Sequence, residues 1–479
     1  MLGNAERRRS VGPSLGHWLW MIGLAALALG RPAWAQDEPA PVADSGDTAW
    51  VLASTVLVLM MTLPGLALFY GGLVRAKNVL NVFMKCFITA GVVGILWILV
   101  GYSLAFSDGG SQLIGNFAKV GLSGVDASSL WKQTFTTPNR YIPEYIFVMF
   151  QAMFAIITPA LILGAVAERM KFSAFVAFIS IWLLAVYCPL AFMVWGGGWI
   201  FDAGAIDFAG GLVVHMSSGF SALVAAIMLG KRKGFGREPM LPHNIPLCLI
   251  GAGLLWAGWF GFNAGSALSA SGTAALVFLN TSTATSAAIV AWAAIEWVHR
   301  GKPTALGAAT AAVAGLVAIT PACGNVSPMG AIAVGLGVSI ICYAAVTFVK
   351  PLAGYDDSLD AFGVHGVGGA WGAIASGLFA VTLGAGVESK ASQILVQLQS
   401  IGFVAIYAPL ASLIILLALR VVFGSLRVSE EDEDTGLDLS LHSESAYSAL
   451  SSGSLLGQGG GHASMSSEPA RQPVHASAS

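Results

Sequence analysis

Asp207-Phe-Ala-Gly-Gly-Leu-Val-Val-His215 and Asp360-Ala-Phe-Gly-Val-His365-Gly-Val-Gly-Gly369 decide the reading of this sequence. Each opens an apolar stretch with an aspartate and carries one histidine in a segment rich in glycine and valine. An ionisable side chain is expensive in hydrocarbon and faces the interior of a helix bundle. The histidines are 150 residues apart and, on the spans given below, five spans apart. Five is odd, so a five-helix unit repeated along the chain must cross the membrane in the opposite sense the second time. Inverted repeats place a transporter's site near the midplane, where the halves meet. At about 1.5 Å per residue, His215 lies about 12 Å into its helix from Asp207, and His365 about 7–8 Å in from Asp360 at the opposite face. Both approach the middle of the bilayer, and imidazole there can donate, accept or relay a proton.

The composition agrees with a membrane protein. The chain has 479 residues, 56% of them hydrophobic and 10% charged, whereas soluble domains hold about 25% charged residues. So few charges cannot coat a soluble particle of this size. With 23 Lys and Arg against 25 Asp and Glu, no basic excess is present to release counterions, which argues against a nucleic-acid partner. The five cysteines (Cys86, Cys188, Cys248, Cys323, Cys342) are scattered, mostly in apolar runs, with no CxxC pair. Neither a disulfide framework nor a metal site is expected of them.

Stretches able to cross about 30 Å of hydrocarbon fall at 49–73, 82–106, 144–167, 173–194, 208–230, 245–264, 274–298, 305–321, 328–349, 361–383 and 394–423. The expected fold is therefore all-α integral membrane: eleven transmembrane helices, two inverted five-helix repeats plus one extra helix. Arg7 to Arg9, the short apolar stretch from His17 to Gly30 and Ala33-Trp34-Ala35 read as a cleaved signal peptide over 1–35, too short to be an anchor. The mature N-terminus is then outside a bacterial-type inner membrane, and eleven spans put the C-terminus inside. Basic residues agree, with fourteen on the segments assigned to the cytoplasm and four (Lys119, Lys132, Arg140, Lys390) on those outside. The membrane domain runs over 36–427 and a cytoplasmic tail over 428–479. The tail holds the acidic run Glu430 to Asp434 and, from about 448, a Ser/Gly-rich composition expected to be disordered.

Aspartate at the start of a helix reads first as a cap for backbone N–H groups. Asp207 is read as a cap that also places negative potential at the outer vestibule, and Asp360 as the cap at the opposite mouth. Phe150 and Phe154 stand one helical turn apart, and Trp259, Phe262 and Ser266 share one face of the sixth span. Trp195 precedes three glycines at the outer end of the fourth. Together these rings can hold a small cation by cation–π attraction. Glycines throughout the spans predict close helix crossings rather than a wide channel.

Seven motifs in order resemble the ammonium transporter family (Amt/Mep/Rh). They are Leu-Phe-Tyr-Gly-Gly-Leu-Val-Arg (68–75), Ala-Glu-Arg-Met-Lys-Phe-Ser-Ala (167–174), Met-Val-Trp-Gly-Gly-Gly (193–198), the two histidine segments quoted above, Gly-Trp-Phe-Gly-Phe-Asn-Ala-Gly-Ser (258–266) and Thr-Pro-Ala-Cys-Gly (320–324). The likeness covers about residues 46–447. It implies a homotrimer whose protomers each enclose a narrow pore. By this resemblance Phe154, Trp195 and Ser266, with Asp207 nearby, form an external ammonium recruitment site, and Phe154 and Phe262 a phenyl gate. His215, His365, Trp259 and Thr320 line or border the pore and its twin-histidine proton relay. The resemblance further implies a cytoplasmic PII signalling protein as partner, with the tail from Arg427 to Tyr447 and the loop Lys231 to Arg237 as contact surfaces. Substrates are ammonium and ammonia, with methylammonium left open; membrane lipids surround the protein, and no enzyme activity or cofactor is implied. Three other readings compete: haem held axially by the histidine pair, an ammonium sensor that conducts little, and a rocking carrier for a larger amine. The last lacks an interrupted pair of spans in the sequence.

Overall fold

The computed structural model describes residues 41–132 and 140–447. Both the expected signal peptide, 1–35, and the Ser/Gly-rich segment from 448 lie outside the described residues. Of the unit Met1–Val42 only Pro41 and Val42 are described, and every element below belongs to the unit Ala43–Ser479.

Among the described residues nine helices are long and apolar enough to cross a bilayer. They are α1 (Ser45–Leu73), α2 (Ala76–Phe106), α3 (Glu144–Val166), α4 (Phe172–Asp202), α5 (Gly211–Leu229), α6 (Ile245–Gly265), α7 (Gly272–Arg300), α9 (Pro328–Ala353) and α11 (Lys390–Phe423). Two shorter apolar helices, α8 (Ala305–Ile319) and α10 (362–378), complete the bundle. Every expected span therefore has a helix, and the expected span 361–383 stops at Leu378.

Local chemistry sets many of the helix starts. Asp44, Asn244, Ser271, Thr304, Ser327 and Ser389 cap α1, α6, α7, α8, α9 and α11, each side chain accepting from a backbone N–H three residues on. One span departs from expectation. At Leu63, φ −126° and ψ 96°, the backbone of α1 leaves the helix just before Pro64. Proline lacks an N–H and restricts the residue before it. The span read as continuous over 49–73 is thus interrupted, although no second interrupted span was expected from the sequence to match it.

The helices that carry the histidines are locked together by glycine. A Cβ on Gly219, one turn beyond His215, would lie 2.1 Å from the Gly366 nitrogen and 2.9 Å from the His365 carbonyl carbon. Reciprocally, a Cβ on Gly369, one turn beyond His365, would lie 3.0 Å from the His215 Cβ and 3.0 Å from the Gly211 oxygen. Each histidine also sits in a single π-helical turn at the head of its helix, Gly211–Met216 and Phe362–Gly366. Such turns shift the side-chain register locally and recur at functional sites. All five cysteines are buried.

At the end of the bundle that carries Lys231, buried charges are paired. Glu168 receives Arg75 at 2.7 Å and Arg232 at 3.3 Å, and Arg232 also meets Asp356 at 2.9 Å. Burial opposes ionisation of Glu168, but the guanidiniums of Arg232 and Arg75 outweigh it and hold the carboxyl below its ordinary value. Two short helices of the tail, α12 (Glu430–Thr435) and α13 (Leu437–His442), lie on this face. Lys233 pairs with Asp434, Lys77 donates to the Glu433 and Asp434 carbonyls, and the Tyr447 hydroxyl lies 3.0 Å from His243 Nε2. The tail and the loop at Lys231 to Arg237 therefore contact each other.

Because the α5–α10 crossing leaves no space for a methyl group, Gly219→Ala should lower stability by about 2 kcal/mol or more. Gly253 faces open space, so Gly253→Ala should be neutral or gain about 0.5–1 kcal/mol from the helix propensity of alanine. Thermal unfolding of both variants in detergent checks the pair, and equal melting points would contradict this account of the crossing.

Candidate functional site

Three cavities follow one another through the bundle. The first, at the Trp195 end, holds about 30 Å³ and is lined by Phe106, Trp131, Phe147, Gln151, Phe154, Trp195, Phe208, Ser266 and Leu268. The second lies deep in the bundle and holds about 10 Å³ between Phe262, Trp259, His215, His365 and aliphatic side chains from α1, α3 and α8. The third holds about 150 Å³, opens toward the tail end, and is bordered by Tyr70, Met240, Ser358, Asp360 and again His365.

Two phenyl rings separate the first cavity from the second. Phe154 and Phe262 face each other with centroids 4.2 Å apart and planes inclined by 31°. Phe154 also meets Trp195 edge-on at 6.2 Å. The Ser266 hydroxyl donates to the Phe262 carbonyl at 2.8 Å, which leaves its lone pairs for the cavity. Four of the residues expected at the outer site and gate (Phe154, Trp195, Ser266 and Phe262) therefore converge on one constriction.

Beyond this ring pair the rings continue as a slot. His215 stacks with Phe262 at 6.0 Å, Trp259 at 5.5 Å and His365 at 5.3 Å, all within 27° of parallel. The two imidazoles meet Nδ1 to Nδ1 at 3.3 Å, so one ring must donate and the other accept. No partner for His215 Nε2 is found among the described residues. Both rings are nearly fully buried. Side-by-side rings in direct contact leave no room for a macrocycle between them, which removes the haem reading. A space of about 10 Å³ is roughly that of one water, so no hydrated ion fits. Trp259 is held by its Nε1, which donates to the Thr320 hydroxyl at 2.9 Å, and that hydroxyl donates to Leu316. Thr320 thus meets the second cavity through Trp259 rather than lining it.

Asp207 is the cap its position predicted. Its carboxylate accepts from the N–H groups of Gly210, Gly211, Leu212 and Val213 at 2.5–3.2 Å, and its carbonyl accepts from Trp195 Nε1 at 2.8 Å. It does not line the outer cavity, and it meets Trp195 only through its backbone carbonyl. Gly210 makes the tight turn possible, because at φ +118° a Cβ would strike Val214 at 2.6 Å.

The cap expected at Asp360 is a correction. Its carboxylate is taken by the Lys350 ammonium at 2.6 Å. Asp357, three residues upstream and fully buried, instead accepts from the Phe362 N–H at 2.8 Å. A basic side chain from α9 decides between the two aspartates, and its proximity is tertiary. Sequence reading also missed Trp131, stacked on Phe147 at 3.8 Å with planes 7° apart, and Gln151, three residues before Phe154 on the same helical face. The i, i+3 spacing was the available signal for Gln151.

The chain is similar to known proteins over most of its length. Residues 49–447 match the model of the Ammonium Transporter Family. The chain is 47% identical over 411 residues to an ammonium transporter of Bacillus subtilis (strain 168), covering 84% of this chain and 98% of that one. It is 46% identical to the ammonium transporter Amt1 of Archaeoglobus fulgidus, covering 84% and 99% of the two chains. Among solved structures it resembles a Sensor Amt Protein with a TM-score of 0.76 at 30% identity, covering 83% of this chain and 98% of that one. It also resembles Mep2 of Candida albicans with a TM-score of 0.74 at 34% identity, covering 81% and 88%.

Removing the Asp207 carboxylate leaves four backbone donors without their acceptor. Asp207→Ala should cost about 2 kcal/mol or more, and Asp207→Asn, which keeps one carbonyl oxygen, less. Melting points in detergent measure both, and an unchanged Asp207→Ala protein would contradict the capping role.

Proposed function

The chain belongs to the ammonium transporter family and is a multi-pass membrane transporter of ammonium rather than an enzyme; from that premise we propose an electrogenic uptake mechanism. Ammonium is recruited in the outer cavity by Phe154, Trp195 and Ser266, with Asp207 holding Trp195 and adding negative potential. It loses a proton at the phenyl gate of Phe154 and Phe262. Ammonia then crosses the slot lined by His215, His365 and Trp259, while the proton is relayed by the histidine pair and leaves separately. The observation that carries this reading is the direct contact of the two buried imidazoles behind stacked phenyl rings, in a space too small for a hydrated ion.

The physical logic is selectivity. Ammonium and potassium have similar size and charge, so a simple cation pore separates them poorly. Desolvation disfavours a charged amine relative to its neutral form, and a site that strips water favours release of the proton. Potassium has no proton to release and stops at the gate.

The topology proposed with this mechanism counts α8 and α10 as spans, giving eleven, with the N-terminus periplasmic and the tail cytoplasmic in a bacterial inner membrane. The reciprocal Gly219 and Gly369 contacts and the two matching π-turns support an inverted repeat. Asp207 and Asp357 are then the corresponding caps. Family resemblance also supports three protomers per assembly, which the native mass checks, and a PII protein gating the cytoplasmic face. The docked tail and the loop at Lys231 to Arg237 form a single surface that such a partner would meet. A sensor that conducts little is the second reading, favoured by the similarity to the Sensor Amt Protein.

Replacing His215 and His365 together with apolar residues should abolish ammonium-evoked current in proteoliposomes, because the proton loses its relay. An unchanged current in the double variant would sink the relay. For the regulatory face, membranes holding the full chain should retain PII in an ADP-dependent manner, and membranes holding a chain cut before residue 428 should not. Equal retention by both would remove the tail from the interface.

A further inference from the structure

The outer cavity holds one polar group that the mechanism above does not use. Gln151 lies on α3, three residues before Phe154, and lines the same cavity as Phe154, Trp195 and Ser266. Its Oε1 is buried and meets no donor among the described residues. A buried carbonyl oxygen without a donor is destabilising, and such groups in native proteins call for an explanation. Around it the wall is aromatic. Trp131 lies flat on Phe147 at 3.8 Å, and Phe106 stands edge-on to both, at 5.9 and 5.0 Å. Lys119, the charged group over Trp131, is neutralised by its ion pair with Glu144.

We propose that Gln151 is a specificity-determining residue of the outer cavity, its Oε1 accepting a hydrogen bond from the incoming ammonium ion beside Ser266 Oγ. The inference rests on the transport reading and deepens it. Ammonium carries four N–H groups in a tetrahedral array. Two directed at Oε1 and Oγ leave two for the ring faces of Phe154 and Trp195, which attract a cation and accept weak N–H···π contacts. Every donor of the ion is then met without water. Potassium has no such directed donors, and a protein must surround it with a shell of oxygens to replace its hydration. One amide oxygen and one hydroxyl fall far short of that. Gln151 therefore contributes to discrimination before the gate is reached, and it acts on recruitment rather than on passage through the slot.

The test uses the full protein in proteoliposomes, with ammonium chloride as the probe and current as the readout. Gln151→Met keeps the length of the side chain and removes the acceptor. It should raise KM for ammonium about tenfold, the effect of losing one hydrogen bond to a charged group, with maximal current within about twofold. Gln151→Glu should lower KM, because a carboxylate is the stronger acceptor for a cation. An unchanged KM in Gln151→Met, with or without a fall in maximal current, would assign Gln151 to packing and overturn the proposal while the transport reading stands. Absence of any ammonium current in the unaltered protein would overturn both.

Discussion

A bare monovalent cation cannot enter hydrocarbon without a penalty of tens of kcal/mol, and each part of the proposed pathway answers to that constraint. The outer cavity replaces water with ring faces and a few oxygens. The Phe154–Phe262 pair, at 4.2 Å, admits nothing that keeps a hydration shell. Behind it the slot is lined by apolar side chains and two imidazoles in hydrogen-bonding contact, a lining that suits a neutral amine. On the proposed mechanism charge and mass separate at this ring pair, where carrying them together is most costly.

The contact between the imidazoles is a consequence of backbone packing. His215 and His365 reach 3.3 Å because Gly219 and Gly369 let α5 and α10 approach until backbone meets backbone. Membrane helices gain little from burying apolar surface against one another, since lipid is equally apolar, so close van der Waals packing carries the association. The caps complete the alignment. Asp207 at one head and Asp357 at the other hold backbone N–H groups at the start of the two histidine turns. The same groups that stabilise the helices therefore set the register of the imidazoles.

Much of this was legible in the sequence because it depends on spacing. Two glycine-rich helices with one histidine each, and Trp259, Phe262 and Ser266 on one face, are periodic features that helix geometry carries into the linings of the outer and second cavities. Phe150, one turn from Phe154 and expected among the cation-holding rings, is instead buried edge-on against Phe154 at 5.0 Å and lines none of the three cavities. What escaped depends on tertiary neighbours. Lys350 draws Asp360 away from the backbone and leaves the cap to Asp357, and no local pattern ranks the two. Trp131 reaches the outer cavity through a short antiparallel pairing of β1 (Leu130–Lys132) with β2 (Tyr141–Pro143), which sets it against Phe147. The tail meets the loop at Lys231 through pairs such as Lys233–Asp434, 201 residues apart in sequence, which no local pattern announces. The break at Leu63 is the exception, since Pro64 announced it and apolar length concealed it.

The central claim is that ammonium passes as separate ammonia and proton, and one measurement addresses it directly. Protein reconstituted in proteoliposomes is given a sudden rise in external ammonium, then a matched rise in potassium, while current and internal pH are recorded together. The account predicts a transient inward current with ammonium and none with potassium. Equal currents for the two cations would contradict it. Internal pH changes showing ammonia entry without any current would replace it with a neutral gas channel, and silence in both records would favour the sensor.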